Sequence, residues 1–570
     1  MTPIDHHALL SDNRGLALVE PSGAVVWLCA PRPDDPPLFG RLLDPGAGAF
    51  ELAPATGVWA SQAYDGDTLV LRSEARALTL TDYLDLECRK GCRLVRCVEG
   101  RGRVRVSFAP RLDLGARATS LVPAEGGWRV AGTDVVLRCE PPIPLELRQD
   151  GLHQTLVAEV EVDGRLLLEL AVDADLPVAP EPARRAATAA AWRSWLDTLT
   201  LPPGPRALFA RSALTLKALV HAPTGAILAA ATCSLPEVLG GVRNWDYRFC
   251  WPRDASYAAA TLARLGDPSV GLGLLEWLKR CAGDLERADM LEPLYTVAGE
   301  RLEGEVLREE LDGYAGSRPV RVGNGAAGQT QLDAFGPVID LCAVLEEAGA
   351  RLDAGHLALL EQLLDAITRS WDREGHGVWE LRARARSHVY SRGMCWLALT
   401  RGAQVLARAG CDVARYEAEA ARIQAQVAAR GFHPEAQAFT MAYGEPELDA
   451  AVLKLIGSGF FTEAAQERAT VMAIERALGR GPVIDRYRMD DGLPGAEGGF
   501  ILCAFWLVEA LWRVGERDAA RARFEALRGI AGPLGLYCEE YDPEAGLGLG
   551  NFPQAYSQLG LLDAARVLGG

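Results

Sequence analysis

The chain has 570 residues, 49% hydrophobic and 24% charged, enough for at least two globular domains with a large core. Its net charge of −17 lacks the basic footprint that nucleic acid or an anionic membrane surface requires, and it suits a neutral or cationic ligand. No run approaches the ~20 apolar residues of a membrane span, and Met1-Thr-Pro-Ile-Asp-His6-His7 lacks the basic and apolar segments of a signal peptide. A cytoplasmic protein is therefore expected.

In chain order, roughly the first 180 residues read as β. Short runs at 23–29, 102–108, 128–131, 134–139 and 165–172 alternate with period two, and Gly, Pro and Asp divide them about every ten residues, which predicts an antiparallel β-sandwich over 1–182. Cys88, Cys92 and Cys97 fall here, but their spacing fits no zinc pattern and no histidine stands near them. The thirteen cysteines read as reduced, mostly buried thiols, and no metal or cofactor is expected.

A Pro-rich breaker, Leu176 to Pro182, an Ala-rich helix near 183–197 and a second breaker, Leu201-Pro-Pro-Gly-Pro205, predict a helical linker over 183–205. From 206 to 570 the period becomes helical. Twelve candidates stand near 206–221, 254–265, 269–282, 330–349, 355–371, 391–409, 412–430, 448–457, 462–479, 498–514, 517–529 and 554–567. Gly266, Gly349, Gly410 and Gly515 read as residues just past helix C-termini. Short joins alternate with long ones at 222–253, 283–329, 372–390, 431–447, 480–497 and 530–553. That alternation predicts six hairpins closed into a double-layered (α/α)6 barrel with its long joins on one face, the usual place for a site.

Those long joins hold the unusual polar and aromatic residues. Arg243-Asn-Trp-Asp-Tyr-Arg-Phe-Cys-Trp-Pro-Arg253-Asp254 crowds aromatics, arginines and aspartates into one non-periodic run. Such a run suits stacking a sugar ring and gripping its hydroxyls by charge-assisted hydrogen bonds. It also fits an Arg/Asp network that pins a loop. Other joins carry Arg318-Pro-Val-Arg321-Val-Gly-Asn324-Gly, Gly377-Val-Trp379-Glu380, Asp485-Arg486-Tyr487 on to Asp490-Asp491 and Glu497, and Leu536-Tyr-Cys-Glu539-Glu540-Tyr541-Asp542.

Glycoside cleavage needs one carboxyl that stays protonated and another that is ionised. Glu380, after Trp379 in an apolar setting, fits the acid, because desolvation holds a proton on a carboxyl. Its alternative is an ion pair with Arg382 or Arg384. Glu539, in a polar loop, fits the base, and its alternative is a solvated acidic turn. His388 either lines the pocket or is structural, and Asp490-Asp491 lacks the spacing of a calcium loop.

Asn244-Trp-Asp-Tyr-Arg-Phe-Cys-Trp-Pro-Arg-Asp254, Gly377-Val-Trp-Glu380 and Glu539-Glu-Tyr-Asp-Pro543, in that order, resemble glycoside hydrolase family 15, which holds glucoamylases and trehalases. The resemblance runs from Ala8-Leu-Leu-Ser-Asp-Asn and Val26-Trp-Leu-Cys-Ala-Pro-Arg32 to Gly550-Asn-Phe-Pro-Gln-Ala-Tyr-Ser557. It implies a β-sandwich with an (α/α)6 barrel, Glu380 as general acid, Glu539 as general base, and inversion releasing β-glucose from α-glucosides. It implies further that Arg253 and Asp254 hold the hydroxyls of the terminal glucose, Tyr247 and Trp251 flank that ring, and Arg486 meets the next sugar. Arg321, Asn324, Trp379 and Glu540 complete the expected substrate-binding set.

The chain departs from the family pattern at Pro31-Arg-Pro-Asp-Asp-Pro36, Ser391-Arg392 and Gly336-Pro-Val338, which leaves the aglycone side open. Phe39-Gly-Arg-Leu-Leu-Asp44 and Phe50-Glu-Leu-Ala-Pro54 are similar to the trehalase-type members, so the expected partner is a small α-glucoside, trehalose first and malto- or isomalto-oligosaccharides second. An α-glucoside phosphorylase and a catalytically dead sugar-binding module are the rivals. The oligomeric state is open.

Overall fold

The computed structural model describes residues 2–177, 179–281, 291–382 and 384–569. Residue 282 of the expected helix 269–282, residues 283–290 of the join after it, and Val178 of the Pro-rich breaker lie outside the described residues.

Thirteen antiparallel strands form the N-terminal sheet. Its spine is two long strands, Cys92–Ala109 and His153–Val172, paired from Phe108 with Leu156 to Cys92 with Val172. The period-two runs predict separate short strands at 102–108 and 165–172. Instead Gly100 pairs with Gly164 and Gly102 with Val162, so the glycines let both strands bend without breaking the ladder. A Cβ on Gly100 would stand 1.9 Å from the Ala77 carbonyl oxygen, which excludes every side chain there.

Past the bend each long strand changes its outer partner. Leu78–Leu84 gives way to Ala49–Pro54 on one side, and Val135–Glu140 to Glu146–Asp150 on the other. The sheet thereby curls on itself. Ala8–Ser11 packs on Leu78–Leu84 although Leu16–Val19, Ala24–Cys29, Ala49–Pro54 and Cys92–Ala109 lie between them along the ladder. Leu10, Val25, Phe50, Leu80, Val98, Phe108, Leu137 and Leu168 fill the enclosed core.

The outer face of the first strands belongs to a different core. Leu9, Leu18, Val26 and Trp27 pack with the helical domain, and Trp27 Nε1 donates to the Ala231 carbonyl at 2.9 Å. The expected linker is no free spacer. Its helix, α1 (Glu181–Leu196), lies on the sheet, with Arg184 bonded to Asp85 at 2.6 Å, Arg165 to Glu181 at 2.7 Å, and Ala189 packed with Val70, Tyr83 and Val95.

The helices of the second domain are α2 (Arg206–Ala218), α3 (Pro252–Leu265), α4 (Pro268–Cys281), α5 (Phe335–Glu347), α6 (Ala354–Ser370), α7 (Val389–Arg408), α8 (Ala414–Arg430), α9 (Ala464–Leu478), α10 (Ile501–Arg513), α11 (Arg517–Arg528) and α12 (Ala555–Gly569). The expected helix at 448–457 is a six-residue 3-10 turn, Ala450–Leu455. Asp449 caps it through Ala451 N, and positive-φ Gly457 and Gly459 follow too soon for a longer helix.

In space α3 packs on α5, α5 on α7, α7 on the 450–455 turn, that turn on α10, α10 on α12, and α12 on α3. Outside this ring α2 packs on α12, α4 on α3, α6 and α8 on α7, and α11 on α10. Burial follows sequence: all of Ile501 to Leu511 in α10 is buried, whereas α8 buries only Tyr416, Ala420, Ile423 and Val427 at helical spacing. Among the described residues no helix is long and apolar enough to cross a membrane.

Candidate active site

The long joins meet over the ring in two chambers that share Tyr247, Trp379, Glu380 and Arg486. The inner one, about 430 Å³ with open solvent at its mouth included, is lined by Tyr247, Trp251, Arg253, Asp254, Trp379, Glu380, Arg486, Phe500, Glu539, Gln554 and Tyr556, with Ala229 and Val378. The outer one, about 480 Å³, adds Arg243, Trp245, Asn324, Gln329, Arg382, Tyr487 and Asp491. Glu380 and Glu539, 159 positions apart in sequence, thus face one cavity.

Local structure aims the first set of side chains. Trp251 is the extended residue before α3 and Pro252 opens that helix, so Arg253 and Asp254 fall in its first turn, where an acidic side chain complements the helix dipole. Arg253 is buried and held from several sides. Its Nε donates to Asp254 Oδ1 and Tyr556 Oη, both at 3.0 Å, and its Nη1 to Gln331 Oε1 at 2.8 Å and Asp333 Oδ2 at 3.2 Å. Tyr556 donates to Asp254 Oδ1 at 2.6 Å, while Asp254 Oδ2 takes no hydrogen bond from the described residues and is free for a hydroxyl. Burial pushes the Asp254 carboxyl up to about 6, with Arg253 and Tyr556 opposing. Tyr247 and Trp251 meet edge to face, 5.4 Å between ring centres.

The run from Arg243 to Asp254 divides between its two sequence readings. Trp245, Tyr247, Trp251, Arg253 and Asp254 line the chambers. Arg248 and Asp246 form a buried bidentate pair at 2.9 and 2.6 Å, and Arg248 also reaches the Asp35 carbonyl at 2.8 Å, tying the join to the N-terminal domain. Arg243 grips Asp491 through two bonds of 2.8 and 2.9 Å, so Asp491 serves an arginine rather than a cation site.

Glu380 sits in a turn with φ of +57°, a region bulky residues avoid without support. The alternative, an ion pair with Arg382 or Arg384, does not form, since Arg382 binds Glu305 and Arg384 binds Glu445. Nor is its setting apolar. Trp251 Nε1 and Gln331 Nε2 donate to its Oε1 at 2.8 and 3.2 Å, and Arg253 Nη2 stands 3.6 Å from that atom. Neighbouring Trp379 is fixed by its own bond to buried Asp449, 2.7 Å.

Glu539 and Glu540 are not a solvated turn, being 1% and 0% exposed. Burial raises Glu539 to about 7, against the lowering effects of Arg486, the Asn551 backbone N–H and the Tyr247 hydroxyl. Its Oε2 accepts from Asn551 N at 3.1 Å, and its Oε1 has no partner among the described residues. Glu540 is turned away from both chambers, its Oε2 held by Gly498 N at 2.7 Å. It belongs to a carboxylate group with buried Glu237 and half-buried Glu497, where Arg243 pairs with Glu497 and Arg486 stands 3.3 Å from Glu237, 2.9 Å from Glu497 and 3.9 Å from Glu540.

The structure separates Arg321 from the rest of the expected set. Its guanidinium is taken up by Glu305 at 3.1 Å and the Val242 carbonyl at 2.7 Å, stacks over Trp245, and lines neither chamber. Asn324 lines the outer chamber and caps Ala326 N. His388 is buried behind Gly377 and lowered to about 4 by burial, outside both chambers. Sequence reasoning missed Gln329, Gln331, Gln554 and Tyr556. Their signal was slight: polar side chains beside Leu332-Asp333 and within Asn551-Phe-Pro-Gln554-Ala-Tyr556.

The model of the glycosyl hydrolases family 15 matches residues 205–566, and that of the trehalase-like N-terminal domain matches 1–192. A trehalase of Mycobacterium tuberculosis is 34% identical, covering 99% of this chain and 89% of its own length. A trehalase of Thermoplasma volcanium is 30% identical, covering 99% and 93%. A crystal structure of a bacterial glucoamylase complexed with acarbose superposes with a TM-score of 0.69 at 14% identity, covering 99% of this chain and 94% of that one, a likeness of fold. With the family model spanning most of the chain and full-length relatives at this identity, the protein belongs to the glycosyl hydrolases of family 15 and is a glycoside hydrolase of trehalase or glucoamylase type.

Proposed function

We propose that the enzyme is an inverting α,α-trehalase, with Glu380 as general acid and Glu539 as general base. In this reading 206–570 is an (α/α)6 barrel, 1–182 a β-sandwich and 183–205 their connection. One observation carries the function: two chambers of similar size meet at Glu380, and Glu539 lines only the inner one. A disaccharide spanning them puts its glycosidic oxygen beside Glu380. The terminal glucose then lies against Tyr247 and Trp251, its outer hydroxyls on Arg253 and Asp254. The second glucose meets Trp245, Asn324, Gln329 and Arg382 in the outer chamber, with Arg486 at the junction. The trehalase names of the full-length relatives support trehalose over a longer glucan.

In the reaction, Glu380 gives its proton to the glycosidic oxygen as the C1–O bond breaks, and the bonding pair goes to that oxygen. Water attacks C1 from the opposite face and loses a proton to Glu539, so the two carboxyls exchange protonation states over one turnover. Inversion needs them roughly 6.5–9.5 Å apart to admit that water.

The test is proton NMR of the first turnovers on trehalose, maltose, isomaltose and soluble starch. Trehalose should be consumed fastest and give α- and β-glucose in equal initial amounts, the β anomer from the attacked carbon and the α anomer from the departing sugar. Only α-glucose would refute inversion. Preference for starch or maltose would make the enzyme a glucoamylase, and a phosphate requirement with glucose 1-phosphate as product would make it a phosphorylase.

A further inference from the structure

The two oxygens of Glu380 face different surroundings. Oε1 receives the Trp251 and Gln331 N–H groups at 2.8 and 3.2 Å, with the Arg253 guanidinium at 3.6 Å. Oε2 takes no hydrogen bond from the described residues. Indole and guanidinium nitrogens only donate, as does the NH₂ of a glutamine. A proton on Oε1 would therefore point at groups that already point protons at it.

Only the orientation of Gln331 is adjustable, and its neighbours fix it. Its Oε1 accepts from Arg253 Nη1 at 2.8 Å, and arginine has no acceptor, so the carbonyl end must face Arg253 and the amide nitrogen must face Glu380. The same nitrogen also donates to Gln329 Oε1 at 3.2 Å, and Gln329 Nε2 donates to the Glu380 backbone carbonyl at 3.0 Å. That last bond and Glu380 N to Gly377 O, 3.3 Å, hold the residue at its positive φ. Gln331 itself is 4% exposed, just before the turn Leu332–Ala334 that opens α5. An unbroken polar chain thus runs from Asp333 through Arg253 and Gln331 to Glu380, and every donor in it has one direction.

We infer that Gln331 is a positioning residue which, with Gln329, confines the proton of Glu380 to Oε2 and ties that orientation to Arg253. The inference rests on the reading of Glu380 as general acid. Oε2 gives its proton to the glycosidic oxygen, and the carboxylate left behind is stabilised at Oε1 by the donors already in place. Occupancy of Arg253 by sugar hydroxyls is thereby linked to the acid through one side chain. The charged and titratable groups around Glu380 are Arg253 and Asp254 at the start of α3, Asp333 beneath Arg253, Tyr247, Tyr556 and Glu539 across the inner chamber, and Arg486 and Arg382 along the chamber walls.

Gln331→Glu tests this, because it keeps the shape and the acceptor for Arg253 while deleting the N–H aimed at Glu380. The readout compares trehalose, whose leaving group needs a proton, with α-glucosyl fluoride, whose leaving group does not. Turnover of trehalose should fall about ten- to hundred-fold, within the range general acid catalysis contributes, and that of the fluoride by no more than about three-fold. The alkaline limb of kcat/KM on trehalose should move upward, since an added acidic neighbour holds the Glu380 proton to higher pH. Equal losses on both substrates, or an unmoved limb, would overturn the inference. Glu380→Gln separates the two levels of argument: if it spares trehalose, the acid assignment itself falls, whereas Glu380→Gln lost on trehalose alone with Gln331→Glu lost on both removes only the role of Gln331.

Discussion

Asp449 offers a clean measure of how burial shapes this site. It is 1% exposed, and its Oδ1 accepts from both Trp379 Nε1 at 2.7 Å and Ala451 N at 2.8 Å. Burial pushes its carboxyl up from 3.8 to about 6, against those two bonds. Asp449→Asn keeps an oxygen for both donors and removes only the charge. A raised folded-state pKa means that the native state holds its proton more tightly than the unfolded chain. Its contribution to stability is whole below the unfolded pKa and is lost as pH rises through the folded one.

With 1.36 kcal/mol per unit, that loss amounts to about 3 kcal/mol above pH 7 and about 1.6 kcal/mol at pH 5. The asparagine should recover part of it, about 1–3 kcal/mol at pH 8 after the cost of its new N–H₂ where Oδ2 stood. Urea unfolding of both proteins at pH 5, 6.5 and 8 measures the gap, which should narrow by about 1.4 kcal/mol towards pH 5. Asp449→Leu orphans both donors at about 1–3 kcal/mol per unpaired group, a loss that should be larger at pH 5 than at pH 8, where removal of the buried carboxylate offsets it. An asparagine variant less stable than wild type at pH 8, or a gap independent of pH, would refute the account.

For Glu539, whose proton must be off before water can be activated, kcat/KM should rise with pH through about 7. That acid limb belongs to a coupled set that includes Glu237, raised to about 8 by burial, so it should be broader than a single titration. Glu539→Gln should lower turnover by about 10²–10⁴-fold and Glu540→Gln far less, and the reverse order would exchange their roles. Asp246→Asn leaves the buried Arg248 guanidinium without its anion, and thermal unfolding should show a loss of about 3–5 kcal/mol. A loss below about 1 kcal/mol would mean that the Asp35 carbonyl and nearby groups satisfy that charge alone.

Much of the molecule is written locally. Helix faces, their Gly ends and the alternation of joins follow from short-range periodicity, and Gly349, Gly410 and Gly515 indeed take positive φ of 81°, 86° and 92°. The candidate site residues were legible too, because a run such as Trp251-Pro-Arg-Asp254 is too polar for a core and fits the first turn of a helix. Features that depend on a distant partner were not legible. Gly100 and Gly164 mark a bend only because each lies opposite the other, and α1 docks only because Asp85 and Glu169 wait for Arg184.

Composition, period and motif order thus determined the β and helical halves of the chain, the long joins between helices and the candidates Glu380 and Glu539. Tertiary structure alone decided their states. It buried Glu539 beneath Asn551, turned Glu540 away from the chambers, took Arg321 out of reach, and set Gln331 and Trp251 against one oxygen of Glu380. The reason is physical: a side chain's type sets what chemistry it can do, whereas its protonation and direction depend on desolvation and on donors that arrive from residues up to hundreds of positions away.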